Sequence, residues 1–246
     1  MSGALAGRLA VVTAGTRGIG RAVVDRFVAE GAHVVTSART AASGEELVAT
    51  HGDKVTFVVA DAAKTADLPA LVQAVKAQGR PLDVIVTNAG GGPHTWLRSP
   101  EADYEAVMDV TVRSALFAVQ ALEPLLRDGA AIVLIGSISG SNGGPGAIVY
   151  NAAKAAIRSL ARSLAAELGG RRIRANVVSP GPTLTPGFQV YMNNDQAAID
   201  QMGESIPLGR AGQPAEVAAA VLFMACDESS FIDGAELVVD GGMSQV

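Results

Sequence analysis

Seven short runs rich in β-branched and other apolar residues recur along the chain: Leu9–Thr13, Ala32–Ala38, Val55–Ala60, Val84–Asn88, Ala131–Gly136, Ile173–Ser179 and Ala235–Asp240. Most are continuously apolar. A strand wetted on one side alternates with a period of two, so continuous runs predict strands buried on both faces, as in a parallel sheet covered by helices. Helical patterns lie between them, at about 20–30, 64–78, 101–127, 150–168 and 214–226. Gly31, Gly79 and Gly169 stand where a glycine ends a helix, and Ser99-Pro100 offers an N-cap followed by proline at the first helical position. Strand–helix alternation without a composition break predicts one doubly wound α/β domain over residues 1–246. The longest irregular piece, about 180–212, exceeds an ordinary connection and reads as a lid or substrate loop.

Composition narrows the function classes. Of 246 residues, 49% are hydrophobic, enough for a large core. A net charge of −5 and a pI near 5.2 give no electrostatic case for nucleic acid or an anionic membrane. Arg171, Arg172 and Arg174 read as a solvated helix end before a strand. The single cysteine, Cys226, excludes an internal disulfide and any cysteine-based metal cluster, and its apolar neighbours predict a buried thiol. The three histidines, at 33, 51 and 94, lack metal-ligand spacing, so no metal is expected. No signal peptide, long hydrophobic span or lipidation motif is evident, which predicts a cytoplasmic protein.

Two segments carry chemistry. The first strand runs into T-A-G-T-R-G-I-G (Thr13–Gly20) and then a helix. Glycines there let backbone N–H groups approach a pyrophosphate at the positive end of the helix, the arrangement of a Rossmann-type dinucleotide site. The second segment runs from Ile135 to Lys154. Tyr150 and Lys154, four apart on a helix, share one face. An ammonium beside a phenol favours the phenolate and lowers a pKa that starts near ~10, as a general acid for a carbonyl at neutral pH requires. With three tyrosines and four lysines in the chain, the pair alone is a weak signal.

Taken together, these motifs resemble the classical short-chain dehydrogenase/reductase family over nearly the whole chain. The family's T-G-x-x-x-G-x-G turn is matched by Thr13 to Gly20, with Ala14 at the first glycine. Its N-A-G is matched by Asn88-Ala89-Gly90. Its serine precedes the tyrosine by thirteen positions, as Ser137 precedes Tyr150, and Lys154 completes Tyr-x-x-x-Lys. Pro180-Gly181, followed by Thr183 and Thr185, matches a segment that closes on the nicotinamide, and V-V-D-G-G at 238–242 matches the family's ending.

The resemblance implies an NADPH-dependent ketoreductase. Ser137 and Tyr150 would bond the substrate oxygen, Tyr150 would supply the proton, and Lys154 would hold the nicotinamide ribose. Cofactor contacts are expected from Gly15, Thr16, Arg17, Gly18, Ile19, Gly20, Arg39, Asp61, Ala62, Asn88, Ala89, Gly90, Pro180, Gly181, Thr183 and Thr185. Thr111 stands where the family has an asparagine that binds a water serving the lysine, and its hydroxyl could hold that water. Ala14 implies that position 14 needs no positive φ. At the end of the second strand Ala38 replaces the acidic residue of NAD users and Arg39 follows. With Arg17, this makes two guanidinium groups suited to a 2′-phosphate and so to NADPH. Asp61 could instead cap the next helix.

The substrate is expected to be a small or medium-sized carbonyl compound, of secondary-metabolite or β-ketoacyl type. His94 and Trp96 from one loop and Phe188, Tyr191 and Met192 from the other are candidate pocket residues. Imine reduction or reductive cyclisation on the same site, and a catalytically silent NADPH-binding regulatory protein, are the alternatives. The helical stripe Ala152, Ala153, Ala156, Ile157, Leu160 and Leu164 fits either a homo-oligomer interface (tetramer or dimer) or burial against the sheet.

Overall fold

A computed structural model describes residues 3–246. The strands are β1 (Leu9–Val12), β2 (His33–Ala38), β3 (Val55–Val59), β4 (Leu82–Thr87), β5 (Leu126–Ile135), β6 (Arg174–Pro180) and β7 (Glu236–Val239). They form one sheet in the order β3-β2-β1-β4-β5-β6-β7, every pair parallel. The chain leaves β1 for β2 on one side and returns to β4 on the other. That reversal opens a crevice at the carboxyl ends of β1 and β4, where ligands bind in doubly wound sheets.

The helices are α1 (Gly18–Ala29), α2 (Ala42–His51), α3 (Leu68–Lys76), α4 (Glu101–Met108), α5 (Ser114–Leu122), α6 (Ile148–Leu168), α7 (Pro186–Tyr191), α8 (Gln196–Glu204) and α9 (Pro214–Ala225). Alternate strand residues feed two cores. Ala10, Val12, Val84, Val86 and Val133 pack with Phe27 of α1 and Val221 of α9. Leu9, Val11, Ile85 and Ile132 pack with Leu71 of α3, Val119 of α5 and Ile157 of α6 on the other face. Both faces are dry, which is why the strands read as unbroken apolar runs.

Several local expectations are corrected. The pattern at 101–127 is not one helix. A π-helical turn, Asp109–Arg113, separates α4 from α5, and β5 already begins at Leu126. The segment 180–212 contains α7 and α8, and a bridge between Thr183 and Gly212 pins its two ends together. Helix α2 escapes the apolar periodicity because only Gly44 and Leu47 of it are buried. At Ser99-Pro100 the proline itself is the N-cap, in extended conformation without a side-chain cap, while Ser99 Oγ accepts from the Trp96 N–H at 2.9 Å. Gly31 and Gly79 do take positive φ, but Gly169 is right-handed and Arg172 adopts φ 57° in its place.

Arg174 is not solvated. It is buried, donating to the carbonyls of Met224 and Cys226 and to Ser229 Oγ. Arg171 is paired with Glu123 and Asp128, and Cys226 is buried. The stripe on α6 divides: Ala153, Ile157 and Ala161 are buried in the core, whereas Ala152 is exposed and Ala156, Leu160 and Leu164 half-exposed.

Candidate active site

At the crevice, β1 turns into α1 through Thr13–Gly20. Asn88, at the end of β4, ties this turn down: its N–H donates to Thr13 Oγ1 at 3.0 Å and its Nδ2 to the Ala14 carbonyl at 3.0 Å. Ala14 sits at φ 52°, so the expectation that position 14 needs no positive φ is wrong. The Asn88 bond holds the left-handed conformation that the missing glycine would take at less cost. A methyl group at Gly20 would fall 2.4 Å from Asn88 Nδ2, so only glycine lets the turn close. Arg17 is the N-cap of α1; no side chain caps the helix and its first turn holds no acidic residue. These free donors at the positive end of a twelve-residue helix fit a pyrophosphate.

Arg17 and Arg39 are both exposed, and neither takes part in an ion pair among the described residues. Arg21, by contrast, is engaged by Asp25 at 2.8 Å and Glu46 at 3.3 Å. Asp61 and Ala62 follow β3, but one Asp61 oxygen already accepts from the Ala63 N–H at 3.1 Å, in part a local cap.

The second cluster lies at the ends of β5 and β4 and the start of α6. Ser137, nearly buried, accepts from the Ser139 N–H at 3.2 Å and neighbours the Tyr150 hydroxyl. Lys154 is buried, donates to the Ile135 carbonyl at 2.7 Å, and holds Nζ 5.7 Å from the centre of the Tyr150 ring. Tyr150 and Lys154 therefore share a helix face, as their spacing predicts. A methyl at Gly90 would stand 3.0 Å from Lys154 Nζ and 3.8 Å from Thr111 Oγ1, so these groups border one small space. Thr111 lies in the π-turn, is 1% exposed, and leaves its hydroxyl oxygen without a hydrogen-bond partner. A buried hydroxyl with an unused hydrogen-bonding capacity suits the expected water-binding role.

Electrostatics differ from expectation. Burial pushes the Tyr150 phenol above the usual range; the Ser137 hydroxyl pulls it back and neighbouring Tyr191 adds to the rise. Burial also lowers Lys154 to about 8. Desolvation is the largest influence on both groups and outweighs the ammonium beside the ring.

The segment 180–212 borders the site. Pro180 ends β6 and Gly181 follows. Thr183 is buried with its hydroxyl on the Gly181 carbonyl, and Thr185 caps α7 by accepting from the Phe188 N–H at 3.1 Å. A methyl at Gly18 would lie 3.3 Å from Thr185, so the glycine turn faces this segment. Tyr191 of α7 stacks on His94, with ring centroids 4.6 Å apart and planes 20° from parallel. Phe188 and Met192, on the same segment, are half-buried. Trp96 departs from expectation: it lies 59% exposed in a surface groove with Leu97, Tyr104 and Ile148.

Sequence reasoning misses Thr95. It is fully buried and bonded to the backbone that opens α6. The only trace in the sequence is that Pro145-Gly146-Ala147 offers α6 no capping side chain. Among the described residues no group of three His, Cys, Asp or Glu could hold a metal, and no helix is long and apolar enough to cross a membrane.

Known proteins resemble the chain throughout. A family model described as enoyl-(acyl carrier protein) reductase matches residues 13–244. The chain is 37% identical over 245 residues to the oxidoreductase asL5 of Sarocladium schorii, covering 98% of each. It is 35% identical over 254 aligned positions to the 3-oxoacyl-(acyl-carrier-protein) reductase FabG of Chlamydia muridarum, covering 99% of this chain and 100% of that one. Among solved structures, a short-chain dehydrogenase/reductase from Serratia marcescens BCRC 10948 superposes with a TM-score of 0.90 at 36% identity, over 98% of this chain and 99% of that one.

Proposed function

The chain belongs to the short-chain dehydrogenase/reductase family of oxidoreductases, and from that premise we propose that it is an NADPH-dependent ketoreductase. The observation that carries the reading is that Ser137, Tyr150 and Lys154 are neighbours at the mouth of a glycine-lined crevice. When bound, NADPH supplies the hydride. The turn Gly15, Thr16, Arg17, Gly18, Ile19 and Gly20 would hold the pyrophosphate. Asp61 and Ala62 border the adenine side, and Asn88, Ala89, Gly90, Pro180, Gly181, Thr183 and Thr185 border the nicotinamide side. The unpaired guanidiniums of Arg17 and Arg39 support a 2′-phosphate, which a carboxylate at position 38 would repel.

Ser137 and Tyr150 donate to the carbonyl oxygen and oppose the charge that develops on it. Tyr150 gives up its proton, and the phenolate left behind is stabilised by the Lys154 ammonium. The raised affinity of Tyr150 for its proton keeps it a donor across the neutral range. Lys154 also holds the cofactor ribose, and a water on the unpartnered Thr111 hydroxyl would return a proton to it.

The FabG relative, a 3-oxoacyl-(acyl-carrier-protein) reductase, favours a β-ketoacyl carbonyl as substrate. His94 stacks on Tyr191, which neighbours Tyr150, and this favours a planar group beside the carbonyl. Exposed Trp96, Leu97, Tyr104 and Ile148 beside α4 and α6 support a homo-oligomer that covers them. The test is consumption of reduced nicotinamide over ketones, imines and β-ketoacyl thioesters, with NADPH against NADH. Reduction of carbonyls with NADPH preferred is expected. Turnover of imines alone would move the chemistry to C=N bonds, and tight NADPH binding without any turnover would make the protein a binder.

A further inference from the structure

Helix α6 carries both Tyr150 and Lys154, yet it begins without a cap of its own. Its N-cap residue is Ala147, and the preceding residues are proline and glycine. A helix start leaves N–H groups without intrahelical acceptors, and a Ser, Thr, Asp or Asn at the N-cap ordinarily accepts from the second or third of them. Here Thr95 does so from another loop. Its Oγ1 accepts from the Val149 N–H at 3.0 Å, its carbonyl accepts from the Ile148 N–H at 3.2 Å, and its own N–H donates to the Gly146 carbonyl at 2.9 Å. The residue is fully buried, so water cannot substitute for it. Val149 immediately precedes Tyr150, and Thr95 follows Asn88-Ala89-Gly90 by five residues.

We propose that Thr95 is a positioning residue: it caps the catalytic helix in trans and fixes Tyr150 relative to the loop that borders the nicotinamide. Its role in turnover rests on the ketoreductase reading; its role at the helix start does not. Thr95→Val keeps the shape and removes the acceptor. It is expected to lower kcat by about tenfold or more, since small displacements of a reacting group are costly, while NADPH affinity stays at the wild-type value. Loosening the first turn also opens the enclosure of Tyr150, so the basic limb of the kcat profile moves to lower pH; a merely structural residue would lower Tm and leave that limb in place. Thr95→Ser retains the acceptor and is expected to restore both readouts.

Hydrogen exchange of the peptide spanning 146–152 in the NADPH complex gives a readout independent of turnover. T95V is expected to speed exchange there and not in the sheet. Adding a local cap, T95V with Ala147→Ser, is expected to slow it again and to recover folding if T95V alone accumulates poorly. The proposal is overturned if T95V keeps wild-type exchange and pH profile, if T95S is as impaired as T95V, or if the added cap recovers nothing. Absence of carbonyl turnover in the wild type, with the exchange pattern as expected, would instead overturn the ketoreductase reading alone.

Discussion

The two sides of the crevice are built differently. On the cofactor side, one contiguous turn between β1 and α1 presents backbone N–H groups, and its main outside support is Asn88. On the substrate side, no single segment makes the site. Ser137 comes from the end of β5 and Tyr150 from α6; the cap on α6 comes from Thr95, and Tyr191, stacked on His94, comes from α7. A site made of backbone in one turn tolerates a side-chain change such as Ala14, provided a neighbour holds the conformation. Contacts between distant segments can exchange partners individually, so substrate preference can change while the dinucleotide site stays intact.

Substitutions can break that division. The largest effect is expected from Tyr150→Phe, which removes the proton donor but not a packing group. Turnover should fall by about a thousandfold or more, with NADPH binding nearly intact by fluorescence titration. Equal loss of both would join the two sides and make the tyrosine structural. Next, Arg17→Ala with Arg39→Ala should weaken NADPH binding by about tenfold to a hundredfold, two charge-assisted contacts being lost, and leave NADH binding unchanged in the same titration.

His94→Ala removes one stacked ring, worth about 0.5–1.5 kcal/mol. It should change KM for aryl ketones relative to aliphatic ones by about twofold to tenfold, with NADPH affinity unmoved. A pH dependence of stability probes the buried lysine instead. Lys154 is lowered from 10.5 to about 8, so the unfolded chain binds more protons than the folded one between those values. The ligand-free protein should therefore gain stability from this group as pH rises through that window. Denaturant unfolding of wild type against Lys154→Met across the window measures it; a wild-type curve parallel to the variant's would show an ordinary lysine.

What could be read in the sequence follows the same division. The parallel sheet announces itself because both its faces are dry, and the glycine turn because its residues are neighbours. Ser137, Tyr150 and Lys154 are legible through the family resemblance, since the Tyr-x-x-x-Lys spacing is a weak signal by itself. The π-turn at Asp109–Arg113 is not, since it shifts the helix register without changing composition. Helix α2 hides because Gly44, where a methyl would strike the Phe57 ring, leaves it almost no apolar stripe. Thr95 and the His94–Tyr191 stack depend on where loops meet, which local periodicity does not encode. The direction of the Tyr150 shift is likewise set by burial, whereas spacing shows only that a cation is near.

Following deuterium from NADPH labelled at its transferable position into acetoacetyl-N-acetylcysteamine, a β-ketoacyl thioester, tests the central claim most directly. Mass spectrometry of the product is expected to find one deuterium on the former carbonyl carbon and a solvent proton on its oxygen. Recovered thioester without label, from protein saturated with the labelled cofactor, would contradict the account for this substrate class; the same outcome with simple ketones would contradict it altogether.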